Sequence, residues 1–260
     1  MVGTFLRHGS NVWLALGLAA LVVGFVAGVL PFSLLWVVIG ALTFYVSEYG
    51  FHRFGFHAEP SRFTFIRKML HRLHYDHHAQ PDRLDLLFLP VWFLVPNLAL
   101  TALGFALLFG WAPVASAMFG VTLAIFHYEW VHYVAHIPYQ PRTRIGHWMK
   151  QYHLRHHFIS EKFWFGVSNP SMDFVGRTYK TAREVERSGT TRKLYGRAKT
   201  RADSRTYGGH CGTDANDPTT AISQEVHREP PLSSTTGLDA RVATEISSDG
   251  KAPRYPPSSI

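Results

Sequence analysis

The chain has 260 residues, a net charge of +8, 47% hydrophobic residues and one cysteine, Cys211. A single cysteine excludes an internal disulfide framework and any thiolate-based zinc cluster. A charged fraction of 17% excludes a chain kept unfolded by its own charge. The mean hydropathy of −0.02 matches an ordinary soluble domain, but it averages over a very uneven sequence, and histidine is over-supplied at 16 copies.

No Asp, Glu, Lys, Arg or His occurs from Gly9 to Ser47, or again from Leu86 to Phe126. At about 1.5 Å of rise per residue, each stretch can cross a 30 Å bilayer core twice. Each has a break near its middle, Leu30-Pro31-Phe32 in the first and Gly110-Trp111-Ala112-Pro113 in the second. Proline there removes a backbone donor and favours a turn. The pattern predicts four transmembrane helices, about 12–30, 32–51, 87–109 and 113–134. The N-terminal apolar run follows Arg7 but is long for a signal sequence, and a second span follows at once, so a retained helix is expected.

The segment after the second span carries Arg53, Arg62, Arg67, Lys68, Arg72 and Arg83, and the segment after the fourth carries Arg142, Arg144, Lys150, Arg155 and Lys162. The hairpin turns carry no Lys or Arg. The positive-inside rule then places both histidine-bearing segments and both termini in the cytoplasm. The basic excess reads as topology and contact with anionic lipid, not as nucleic-acid binding, for which no recognition motif is present. From about Ser188 the composition turns to Ser, Thr, Gly, Asp and Pro. The expected organisation is a membrane-embedded domain over 1–187 and a disordered tail over 188–260. His210, Cys211 and His227 fall in that tail and receive no role.

Ten histidines form four clusters: His52 and His57 as H-x4-H, His74, His77 and His78 as H-x2-H-H, His132 and His136 as H-x3-H, and His153, His156 and His157 as H-x2-H-H. Positions i, i+3 and i+4 share one α-helical face, so each H-x2-H-H cluster aims three imidazoles one way and H-x3-H aims two. On an α-helix, H-x4-H turns about 140°, so His52 and His57 diverge and can serve different metals. Ten imidazoles divide as about five per ion over two ions. Imidazole without thiolate suits first-row metals such as iron or zinc. Two divalent ions among neutral ligands call for compensating anions nearby; Asp76, Glu129, Glu161 and Asp173 are the candidates. His71, His127 and His147 read as neighbours of the site, not as its ligands. Trp130, Tyr133, Trp148, Phe163, Trp164 and Phe165 are candidates to line a lipid access path, or to form an interfacial aromatic belt.

With these residues in view, the chain resembles the fatty acid hydroxylase/sterol desaturase superfamily, and within it the fatty acid 2-hydroxylase branch. The resemblance covers about 45–180. It rests on His52-Arg-Phe-Gly-Phe-His57, Met69-Leu-His71 through His77-His78, Tyr128-Glu129-Trp130-Val131-His132-Tyr133, His156-His157-Phe158, and Phe165-Gly166-Val167-Ser168 leading to Asp173. Met172 departs from the tryptophan more usual before the aspartate. The resemblance implies an all-α scaffold of four membrane helices under a cytosolic histidine-rich helical cap. It also implies a di-iron centre held by the ten clustered histidines, with zinc possible in purified protein. The implied reaction inserts one oxygen atom from O2 into a C–H bond of a lipid acyl chain. With no cytochrome b5 domain fused, electrons are expected from a separate cytochrome b5-like protein or a ferredoxin with its reductase. Carotenoid hydroxylases share H-x4-H and H-x2-H-H, but their middle box begins His-Asp-Gly, where this chain reads His127-Tyr-Glu-Trp-Val-His132. Sterol desaturases more often open with H-x3-H. A metal transporter would need ionisable groups at membrane depth, which the centres of both apolar stretches lack.

Overall fold

A computed structural model describes residues 2–194; the expected tail lies outside the described residues from position 195 onward. Among the described residues the fold is all helical. A short α1 (Val2–Arg7) leads into α2 (Gly9–Val26). Gly28, with φ +69°, ends that helix in the left-handed region glycine tolerates, and Pro31 keeps the turn open until α3 begins (Leu34–Gly50). The break, 27–33, contains the expected Leu30-Pro31-Phe32 and begins a few residues before it. The chain then runs through α4 (Thr64–Leu70), α5 (Asp76–Ala79) and α6 (Leu84–Leu87), and Pro90 separates α6 from α7 (Val91–Phe109). Gly110, with φ +79°, and Pro113 separate α7 from α8 (Val114–His136). Beyond the bundle lie α9 (Arg144–Phe158) and α10 (Ser171–Val175).

Among the described residues four segments are long and apolar enough to cross a membrane: Gly9–Val26, Leu34–Phe56, Leu84–Phe109 and Val114–His136, with mean hydropathies of 1.9, 1.5, 2.0 and 1.3. Their outward side chains, among them Val23, Val26, Leu34, Leu35, Leu100, Leu107 and Leu108, are exposed and apolar. That is the surface a bilayer covers and water would not.

Helices α3 and α8 form the spine. A Cβ on Gly40 would sit 2.0 Å from the Ala117 carbonyl oxygen, and one on Gly120 would sit 1.9 Å from that of Val37. Only hydrogen fits at both positions, so the backbones meet directly, as small residues permit between membrane helices. Leu14, Leu94, Phe105, Ala117, Val121 and Ile125 close the core around them. At the far turn, Ser116 Oγ donates to the Pro31 carbonyl (3.0 Å) and accepts from the Ser33 N–H (2.9 Å). At the other end Lys150 reaches from α9 and donates to the carbonyls of Val134, Ile137 and Tyr139 at 3.0, 2.6 and 2.9 Å. One buried ammonium thus satisfies orphan carbonyls at the negative end of α8 and fixes α9 across it.

Candidate metal centre

The polar segment after the second span does not continue as plain α-helix. After Gly50, α3 widens into a π-helical turn over Phe51–Phe56, and α4 widens into another over His71–Tyr75. In a π-turn the hydrogen bond runs from i+5 to i, and the His57 N–H donates to the His52 carbonyl at 3.2 Å. Residues five apart therefore stack. The α-helical expectation that His52 and His57 diverge is corrected by this turn: their rings lie 5.1 Å apart and belong to one cluster.

The ten histidines converge into two groups of five. His52, His57, His74, His78 and His156 form one, and His77, His132, His136, His153 and His157 the other; within each, one nitrogen per ring lies within 4.8 Å of all the others. The H-x2-H-H boxes do not point three rings one way. In each box the i and i+4 rings stay together (His74 with His78, His153 with His157), while the third crosses over: His77 joins the second group and His156 the first. Each group therefore takes four histidines from one half of the chain and one from the other.

Ring nitrogens meet at 2.8 Å (His57 and His74), 3.0 Å (His57 and His156), 3.1 Å (His77 and His132) and 2.9 Å (His136 and His153). Buried nitrogens of His52, His77, His78, His132, His153 and His157 have no hydrogen-bond partner. Burial holds His74, His78, His153, His156 and His157 well below the ordinary histidine range, helped by mutual repulsion, and lowers His77 to about 3. Ten packed imidazoles, six of them with a buried partnerless nitrogen, are costly without a cation to share their lone pairs. The donor set fits two borderline metal ions.

Three rings of the first group are aimed by backbone carbonyls. His52 Nδ1 bonds the Phe165 carbonyl, His156 Nδ1 the Phe163 carbonyl (2.7 Å) and His78 Nδ1 the Thr191 carbonyl (2.9 Å). A proton on Nδ1 leaves Nε2 to face the cluster. The Phe163 and Phe165 carbonyls reach one cluster because Trp164 between them adopts φ +61°, a conformation costing a bulky residue about 1–2 kcal/mol. Trp164 is fully buried, with its indole N–H on the Lys180 carbonyl (2.8 Å).

The candidate carboxylates take different parts. Asp173 accepts from the N–H groups of Phe165 (2.9 Å) and Gly166 (2.7 Å) and from Thr178 Oγ1 (2.7 Å), and so pins the loop that aims His52. A Cβ on Gly166 would lie 2.9 Å from Asp173 Oδ2, so this approach needs glycine. Glu161 is buried and accepts from Thr190 (2.8 Å); Glu129 is buried and accepts from the Leu89 N–H (3.0 Å). Asp76 lies apart from both clusters and bonds His71 at 2.8 Å. His127 faces outward from α8 beside Tyr45 (3.2 Å), and His147 stays outside both clusters.

Glu48 was not singled out by the sequence. It is buried at the cap end of α3, where it accepts from the N–H (2.8 Å) and hydroxyl of Ser168. With Tyr49, which bonds Thr178 (2.9 Å), it docks the 165–178 loop on the bundle. A lone Glu at the end of an uncharged run was the available signal.

An apolar groove opens between α3, α7 and α8, lined by Phe44, Phe51, Phe93, Leu98, Val121 and Ile125 among others, and it reaches His52. Four of its polar side chains bond carbonyls of their own helices: Thr43 that of Ile39, Ser47 that of Phe44, Asn97 that of Phe93 and Thr101 that of Asn97. None of the six aromatic residues expected along an access path lines it. Trp164 and Tyr133 are packed in cores, and Phe165 lies against His52, His57 and His156.

A four-span helical bundle ending in two five-histidine clusters defines a membrane protein with a di-metal site. Residues 37–178 match the fatty acid hydroxylase family, and the chain belongs to it. It is 33% identical over 146 residues to a rat fatty acid 2-hydroxylase, covering 54% of this chain and 38% of that protein. It is 30% identical over 148 residues to an Arabidopsis thaliana dihydroceramide fatty acyl 2-hydroxylase, covering 54% and 58%. It is 32% identical over 149 residues to a Saccharomyces cerevisiae ceramide very long chain fatty acid hydroxylase, covering 54% and 37%. The matches thus span between about two fifths and three fifths of those relatives. The solved hydroxylase domain of full-length scs7p superposes with a TM-score of 0.58 at 23% identity, covering 68% of this chain and 67% of that one, and shares the fold.

Proposed function

We propose that this protein is an O2-dependent di-iron hydroxylase of a lipid acyl chain, acting at C-2. The observation that carries this reading is the groove that reaches His52. It follows α3 from Thr43 to His52, about 14 Å along the helix axis, and the side chains of Thr43, Ser47, Asn97 and Thr101 along it are hydrogen-bonded to helix carbonyls. An alkyl chain fits that surface and a polar solute does not. The lining reaches His52 at one end and Thr43, Thr101 and Val121 near mid-bundle at the other. A chain in the groove therefore directs its tail into the bilayer and its first carbons to the metal centre. The relatives named 2-hydroxylases agree with that position.

The ten clustered histidines would hold two irons, which when bound supply the O2 activation and C–H cleavage that side chains lack. The Phe163, Phe165 and Thr191 carbonyls fix ring orientation, Asp173 and Glu48 brace the loop that bears two of them, and the apolar walls exclude water from the reacting carbon. Electrons would come from a separate cytochrome b5-like or ferredoxin-type protein on the cytoplasmic side, the side on which the positive-inside rule would put the cap and both termini. In the test, the full chain in membranes receives such a donor with its reductase and isotopically labelled O2, and fatty acids, sphingolipids, sterols and carotenoids are analysed. Label at acyl C-2 is expected. Label on a carotenoid ring or a sterol, or no label in protein loaded with two irons, would refute the reading.

A further inference from the structure

The segment 188–194 lies beyond the family-matched residues and inside the stretch whose composition reads as tail, yet it is built into the first histidine cluster. Its Ser188 N–H donates to the Ile159 carbonyl at 2.7 Å, just past the end of α9. Ser188 and Thr190 hydroxyls bond each other (2.9 Å), and Thr190 Oγ1 donates to buried Glu161 (2.8 Å). The Arg192 guanidinium lies 5.6 Å from the Phe158 ring, and Leu194 is buried in the main core. Between these anchors the Thr191 carbonyl meets His78 Nδ1 at 2.9 Å. The other nitrogen of His78, Nε2, is buried without a hydrogen-bond partner and belongs with the first group.

We infer that 188–194 is a strap belonging to the metal centre, and that its Thr191 carbonyl is a positioning group for His78. The carbonyl holds the proton on Nδ1, so the Nε2 lone pair is fixed toward the first ion. Thr190, through Glu161, holds the carbonyl in place, and Leu194 holds the far end down. The inference rests on the two-ion reading above and concerns only the first ion. Groups in this position typically govern metal affinity 10- to 100-fold.

The test uses the full chain with Thr190→Val and Leu194→Asp combined, Thr190→Ser alone, and exposed Lys193→Ala as control. Each protein is loaded with Fe(II) or Zn(II), and the affinity of each ion is measured by chelator competition. In the double variant one ion should weaken about 10- to 100-fold while the other keeps its wild-type affinity, which also shows that the bundle is folded. The Thr190→Ser and Lys193→Ala proteins should hold both ions as wild type does. Unchanged affinity for both ions in the double variant, or equal weakening of both, overturns the inference, as does a wild-type chain that takes up fewer than two ions. Two bound ions with selective weakening but no lipid hydroxylation would leave the strap standing and refute the proposed reaction.

Discussion

Gly120→Ala adds one methyl group where α8 crosses α3. The new Cβ would lie 1.9 Å from the Val37 carbonyl oxygen, 2.8 Å from its carbon and 3.0 Å from the Ala41 nitrogen. All three are backbone atoms, so no rotamer change relieves the clash. Even the tightest tolerable contact requires the helices to separate by about 1 Å, and overpacking on this scale costs about 1–3 kcal/mol. The displaced helix carries His132 and His136 into the second cluster, and about 1 Å of misplacement at a reacting centre can cost on the order of 100-fold in rate. Gly17→Ala is the control, because its Cβ meets nothing within 4 Å and a helix favours alanine. Melting in detergent and turnover on the labelled-lipid assay should both fall for Gly120→Ala and hold for Gly17→Ala. Equal melting and turnover in the two variants would refute the close backbone contact as the element that sets the register of the two clusters.

Three further outcomes are expected. His77→Ala and His156→Ala, one in each crossed position, should each abolish hydroxylation and lower metal content; full activity at two ions per chain would contradict the five-and-five grouping. Asp173→Asn keeps the size but weakens the acceptor of two N–H groups and one hydroxyl. It should lower stability by about 1–3 kcal/mol and loosen the ion beside His52, read by chelator release. Histidines whose folded pKa lies below 6.5, such as His77 at about 3, take up protons more readily when the chain unfolds. Their stabilisation is therefore complete above pH 6.5 and is lost as pH falls toward 3. A melting series from pH 7.5 to 5 should show metal loss and falling stability below about 6.5, and a flat profile would contradict the buried neutral cluster.

Much of this was legible in residue order. Uncharged runs broken by Pro31, Gly110 and Pro113 placed four spans, because a bilayer and a helix rise leave little freedom. The ten histidines stood out by spacing and number. Their division did not, because helical-face arguments assume 3.6 residues per turn and the π-turns after Gly50 and Leu70 change that period. The crossing of His77 and His156 depends on how two separate segments face each other, and no local spacing encodes that. Glu48 and the carbonyls of Phe163, Phe165 and Thr191 were hidden for a related reason. A backbone acceptor has no residue type, and its role arises only when the loop closes over the site. The six aromatic residues suggested either a lipid path or an interfacial belt, and the first reading does not hold for this groove, which is walled by the membrane helices themselves.

The crossed histidines bear on how such a chain is assembled. The first hairpin with its polar segment would supply four donors to one ion, and the second hairpin with α9 would supply four to the other. Neither half can finish its own shell; each borrows its fifth ligand from the other. A pair of ions bound there would act as a clasp, closing only when both halves are mated in register. Two halves expressed as separate chains would each present an incomplete set, and uptake of two tightly held ions on mixing would report correct mating before any chemistry is assayed.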